Sequence, residues 1–160
     1  RVFTHEATPL PGGATYDCVG LYGPTCGVTV GSASPVAEWR HKLRTTWGTP
    51  WDMNISVAWR YISETSYEGN SPDPSLNNGV GNTADAVIRA YDYFDVAFDW
   101  SLSDNIKLTG GVNNIADEDP PILDSNVLGV SGPPFGNANT YPVIYDSLGR
   151  EVFIGMSTRF

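Results

Sequence analysis

The chain has 160 residues, 18 of them acidic and 9 basic, giving a formal net charge of −9 at neutral pH. That balance lacks the basic face needed to neutralise phosphates, so no nucleic-acid partner is expected. No window holds 18 consecutive apolar residues, which excludes a transmembrane helix but not a β-barrel, whose spans are short and apolar only at alternate positions.

The sequence opens at Arg1 with no initiator Met, apolar h-region or small-residue cleavage site, so either a removed leader or a piece of something longer is expected. Residues 1–37 read as a long Gly/Pro-rich loop. Within it lie the two cysteines, Cys18 and Cys26. An even count, close spacing and loop context favour a disulfide and an oxidising compartment over two free thiols. The spacing matches no zinc pattern.

Five segments then alternate with period two, the mark of strands with one apolar face. In Trp39–Trp47, the residues Trp39, His41, Leu43, Thr45 and Trp47 oppose Arg40, Lys42, Arg44 and Thr46. In Met53–Ser63, Met53, Ile55, Val57, Trp59 and Tyr61 oppose Asn54, Ser56, Ala58 and Arg60. The third, about Ala90–Ser101, sets Phe94, Val96, Phe98 and Trp100 against Asp95, Ala97, Asp99 and Ser101. The fourth, Ile106–Asn114, sets Ile106, Leu108 and Val112 against Lys107, Thr109 and Asn113. The last, Glu151–Phe160, sets Val152, Ile154, Met156, Thr158 and Phe160 against Glu151, Ser157 and Arg159, with Phe153 as an exception. A helix competes at Trp39, Leu43 and Trp47 through their i, i+4 spacing, but the three interleaved cations would then spread around it. A helical turn is also possible over Thr83–Arg89.

The connections alternate in length. Gly48–Asp52 and Leu102–Asn105 are tight turns, whereas Glu64–Asp85 and Ile115–Gly149 are long. Short turns on one side and long loops on the other fit an outer-membrane barrel. Traced back from Phe160, the zigzag puts both tight turns on the side of the C-terminus, the periplasm, and the Cys18–Cys26 loop outside the cell. Trp47, Trp51, Trp100 and Phe160 then fall at one interface and Trp59, Tyr61, Tyr91 and Tyr93 near the other, as two aromatic belts would. Arg40, Lys42, Arg44, Arg60, Asp95, Asp99, Lys107 and Arg159 would line a wet lumen. The loops carry acid instead, at Glu64, Glu68, Asp73, Asp117, Glu118, Asp119 and Asp124. The expected fold is all-β, an antiparallel transmembrane β-barrel. Five strands cannot close one, since the smallest single-chain form has about eight.

Gly110-Gly111-Val112-Asn113-Asn114-Ile115-Ala116-Asp117-Glu118-Asp119-Pro120-Pro121, followed by Tyr145-Asp146-Ser147-Leu148-Gly149-Arg150-Glu151-Val152-Phe153-Ile154-Gly155 and a terminal Arg159-Phe160, resembles the end of a TonB-dependent outer-membrane receptor. That family closes on a "GVNNLFDKxPP" strand and loop, then "YDxxGRxYFxG" and a final Phe. Ala116 stands where an aromatic is usual, and Val152 where Tyr is usual. Tyr16-Asp17-Cys18 through Cys26-Gly27 and Trp39-Arg40-His41-Lys42 are similar to a proteobacterial branch of it.

The resemblance implies that residues 1–160 are the last five or so strands of a 22-stranded barrel, with the plug domain absent. It implies TonB-dependent uptake of a scarce small molecule (an iron–siderophore, a vitamin or an oligosaccharide) driven by the TonB–ExbB–ExbD complex through the missing N-terminal part. The outer-membrane lipid and the barrel-assembly machinery would be further partners, with Phe160 as part of the assembly signal. No cofactor is expected. A passive porin-type channel and a soluble carbohydrate-binding β-module are the alternatives.

No ligand-binding residue is assigned. Tyr141, Tyr145 and Phe135 could stack on a ligand, or could serve loop folding equally well. Asp117, Glu118 and Asp119 could hold calcium, against the simpler reading of a solvated acidic loop. No enzyme is expected. His5 and His41 have no nucleophile pattern nearby, and Asp95 and Asp99 lie about 13 Å apart by strand rise, beyond the roughly 6.5–9.5 Å of an inverting glycosidase.

Overall fold

The computed structural model describes residues 5–7, 15–26, 28–29, 32–77, 81, 83–124 and 139–159. It is an all-β structure: β1 (His5–Ala7), β2 (Thr15–Asp17), β3 (Leu21–Tyr22), β4 (Val28–Thr29), β5 (Ser32–Ala33), β6 (Arg40–Gly48), β7 (Met53–Ile62), β8 (Thr65–Tyr67), a 3₁₀ turn (Glu68–Asn70), β9 (Val87–Ile88), β10 (Tyr91–Ser103), β11 (Ile106–Asn113) and β12 (Glu151–Thr158). The chain divides into two compact units. One gathers residues 1–40, 62–91 and 120–147; the other gathers 41–61, 92–119 and 148–160.

The second unit carries a five-stranded sheet in the order β12-β11-β10-β7-β6. All five alternating segments are strands, each within two residues of the limits read from the sequence at the ends described. The i, i+4 spacing at Trp39, Leu43 and Trp47 therefore does not make a helix, because the β-branched pair Thr45-Thr46 and the alternating cations suit a pleat. The tight turns are as expected. At the first, Thr49 N–H donates to the Met53 carbonyl, and Asp52, at φ +54°, passes its own carbonyl to Ser101 N–H. At the second, Arg159 N–H reaches the Asn105 carbonyl, which places the end of β12 beside the β10–β11 turn. Phe160 lies outside the described residues.

β11 is central to the register. It pairs antiparallel with β10 (Phe98 opposite Gly110, Ala97 opposite Gly111) and with β12 (Ile154 opposite Gly110, Phe153 opposite Gly111). The Phe98 ring covers Gly110 on one face, where an added Cβ would lie 2.9 Å from it. The Phe153 ring covers Gly111 on the other face, at 2.7 Å from such a Cβ, and the Val96 carbonyl closes that site further at 2.5 Å. The exception in the alternation of β12 thus has a cause: Phe153 sits with the polar residues because Gly111 leaves room for its ring.

Among the described residues the sheet does not close. β12 and β6 are its two edges. Its apolar face is exposed, most strongly at Ile154 (81 %), Val152 (76 %), Met156 (69 %) and Trp47 (59 %).

The first unit is built differently. β3, β8 and β9 form a small sheet, with β3 parallel to β8 and β9 antiparallel to it, and β1–β2 and β4–β5 are antiparallel pairs. The stretches read as long loops before β6 and between β7 and β10 therefore contain short strands. Thr83–Arg89 is turn leading into β9, not helix. Strands of two or three residues carry too little alternation to be seen in sequence, and tertiary contacts decide them.

Candidate functional site

The polar face of the sheet is built by strand parity. Arg60 on β7 meets Asp95 on β10 as a two-pronged fork, Nε to Oδ2 and Nη2 to Oδ1, both 2.9 Å. The pair is partly buried, and the Arg60 guanidinium also lies 4.8 Å from the centre of the Tyr93 ring. Planar pairing of this kind holds both partners in one geometry. Next to it on β10, Asp99 pairs with Lys107 of β11 at 2.9 Å and accepts from Asn54 Nδ2 at 3.4 Å. Arg40, Lys42 and Arg44 are exposed on the edge strand β6. Of the charged residues singled out in the sequence, the structure brings Arg60 to Asp95 and Lys107 to Asp99.

At the far end of β11 the chain stops through Asn114. Its φ of +51° ends the strand, its backbone N–H donates to Asp95 Oδ1, and its side chain is fully buried. The amide closes a ring with Glu118: Nδ2 donates to the Glu118 carbonyl and Oδ1 accepts the Glu118 N–H, both at 2.9 Å. Asn is one of the few residues that tolerates this backbone conformation and can also bond locally. The fourth segment read from the sequence ends at Asn114, and these two properties are the reason the strand stops there. Asp117, also at positive φ, then receives Arg150, its Oδ2 at 2.7 Å from Nη2 and its Oδ1 at 2.9 Å from the backbone N. The side-chain bond from Arg150, followed by its backbone N–H, holds the Asp117 carboxyl below the usual carboxylate range. Gly149, at φ +69°, allows that approach. The two motif stretches that carry the family resemblance are thereby joined across 33 residues. Asp117 is engaged with Arg150, and among the described residues no group of three or more His, Cys, Asp or Glu is placed to hold a metal.

The first unit has a core of its own. Cys18 and Cys26 form a disulfide with a Cα–Cα distance of 5.3 Å and pack on Leu76, flanked by Tyr16, Leu21 and Val36. Glu68, read from the sequence as one of the loop acids, is buried and held by the disulfide loop: Thr25 N–H donates to Oε1 at 2.8 Å and Cys26 N–H to Oε2. A Cβ at Gly23 would collide with that carboxylate. Tyr22, Tyr67 and Tyr141 meet ring to ring at 5.7 and 6.4 Å, and Tyr91 meets Tyr145 at 4.8 Å. The Tyr22 hydroxyl donates to the Asp85 carbonyl. Burial, above all, pushes the Tyr22 and Tyr141 phenols well above their ordinary pKa, with Asp85 adding to the first and Tyr22 to the second. Tyr141 and Tyr145 are almost wholly buried, so their rings serve the loop core and are not offered for stacking. Phe135 lies outside the described residues.

Of the residues expected in two aromatic belts, the four tryptophans lie on the sheet unit and are exposed, whereas Tyr91 and Tyr93 are buried and do not face outward. Trp51 and Trp100 are linked at the tight-turn end, where Trp100 Nε1 donates to the Trp51 carbonyl at 3.1 Å. Trp59 is toward the opposite end, stacked on Phe94 with its Nε1 on Asp92. No helix among the described residues is long and apolar enough to cross a membrane, which says nothing of strands. Comparisons with known protein families, with curated proteins and with solved structures find no match to this chain.

Proposed function

We propose that this chain is the C-terminal part of a TonB-dependent outer-membrane receptor, a barrel that takes up a scarce nutrient through the outer membrane. One observation carries the reading: a five-stranded sheet with aromatic and aliphatic residues exposed on one face and ion pairs on the other. In water such a sheet leaves its apolar face uncovered, against the hydrophobic drive that normally hides it. In a barrel wall the apolar face meets lipid and the paired charges meet a wet lumen. Both edges would find strands in the rest of the barrel, because unpaired backbone in lipid costs several kcal/mol per group. The GVNN and YDxxGR resemblance supports this receptor family in particular, with a plug, a TonB box and the energy-supplying TonB–ExbB–ExbD complex as what it implies.

The test starts with fractionation of cells producing the full protein. Recovery in the outer membrane with heat-modifiable migration is the expected result, and recovery in the soluble fraction would sink the reading in favour of a soluble β-module. A cysteine introduced at Leu148 should react with a membrane-impermeant maleimide on intact cells, whereas one at Asp104 should not. Uptake that collapses when the motor complex is deleted separates a receptor from a passive porin-type channel.

A further inference from the structure

Near the end of the sheet opposite the tight turns, the apolar face carries a group that a purely lipid-facing surface does not need. Trp59 Nε1 donates to Asp92 Oδ1 at 2.6 Å. The same indole stacks on Phe94 (6.3 Å between centres, 9° between planes) and takes the His41 ring edge-on at 4.5 Å. His41 in turn lies against Tyr61 at 5.5 Å and 27°. The Trp59 ring is therefore locked by a charge-assisted bond and two neighbours while staying partly exposed, and Asp92 is exposed beside it.

We infer that Trp59, Asp92, His41 and Tyr61 form a docking surface for the sugar headgroup of an outer-leaflet glycolipid. The inference rests on the barrel reading, which puts this end of the face at the outer headgroup level. Rigid aromatic rings offer flat apolar area to the C–H face of a pyranose, at little entropic cost because they are already fixed. The carboxylate is an acceptor with lone pairs beyond the one Trp59 uses, and it suits sugar hydroxyls, which donate. A phosphate headgroup fits poorly. The cations of β6 and β7 (Arg40, Lys42, Arg44 and Arg60) alternate with this group and belong to the opposite face, so Asp92 would meet the phosphate with like charge.

The experiment uses the full protein extracted from outer membranes in an amine-oxide detergent, which contains no sugar. Native mass spectrometry compares a monoglucosyl diacylglycerol with a phosphatidylglycerol of the same acyl chains. The expected result is a preference of about tenfold for the glucosyl lipid. Trp59→Ala and Asp92→Leu should each cut it below about twofold, while Ile154→Ala, on the same face but remote from the group, leaves it unchanged. No preference in the wild type, or a preference that survives both variants, overturns the inference. Full competition by soluble methyl glucoside also overturns it, since the surface would then take free sugar and not a lipid. Heat-modifiable migration is read on the same samples. If it persists while the preference is absent, only this inference falls; if it is absent, the barrel reading falls first.

Discussion

The two units of this chain solve the same problem in opposite ways. The loop unit turns its large side chains inward: Tyr22, Tyr67, Tyr141 and Tyr145 are buried together with the Cys18–Cys26 disulfide and the Glu68 carboxylate. The sheet unit turns most of its large side chains outward, with Trp47, Trp51, Val152, Ile154 and Met156 all exposed, and buries Tyr93 beside Arg60 together with small or polar groups such as Ala58 and Asn114. On the proposed reading, a loop unit standing in water needs a core and a covalent staple, and a sheet facing lipid takes its hydrophobic stabilisation from the bilayer. Amphipathic Tyr suits the first task, since its hydroxyl can find a partner inside, as Tyr22 finds Asp85.

The contrast can be broken most directly at Ile154. In lipid, Ile154→Arg should cost about 2–4 kcal/mol near the bilayer midplane, read as a lowered urea midpoint for the protein refolded into liposomes. On a water-facing sheet the same change would stay within about 0.5 kcal/mol. Next comes the staple: the double variant Cys18→Ser, Cys26→Ser should lose about 2.5 kcal/mol of loop-unit stability by loop-closure entropy. Amide exchange should quicken in β3 and β8 and stay slow in β10 and β11. On the polar face, Arg60→Leu should cost about 1–3 kcal/mol, because Asp95 is left partly buried without its fork. Lys107→Leu should change the urea midpoint very little, both members of its pair being well exposed.

The smallest effects concern pH and separate the units again. The Tyr22 and Tyr141 phenols are raised in the folded loop unit, so their contribution to stability is complete below the unfolded tyrosine pKa of about 10 and is lost as pH rises through the folded values. Alkaline titration followed at 295 nm should show these phenols ionising only as the loop unit opens. Asp117 runs the other way. Its carboxyl is lowered by Arg150, so its small contribution is present above the unfolded value and fades as pH falls through the folded one. Arg150→Gln should move the Asp117 titration, followed by NMR, back toward the usual carboxylate range.

What could be read from the sequence divides along the same line. Alternation, turn residues and cysteine spacing are local signals, and they delivered the five long strands, both tight turns and the pairing of Cys18 with Cys26. The core of the loop unit rests on encounters between distant residues, such as Glu68 with Cys26 or Tyr22 with Tyr141, and no local pattern announces them. Glu68 reads like any solvated acid until the backbone N–H groups of the disulfide loop are seen around it. Parity alone also marked Phe153 as an anomaly, because the explanation, a glycine on the neighbouring strand, lies 42 positions away.

That glycine pair has a consequence for assembly. Gly110 and Gly111 act as two adjacent sockets that open to opposite sides, one filled by Phe98 from β10 and the other by Phe153 from β12. A slip of one residue would carry Phe153 to the other side, to a position occupied by Phe98, and would leave the second socket empty. β12 is therefore held against a one-residue slip along β11. A guard against that slip is written into β11 itself.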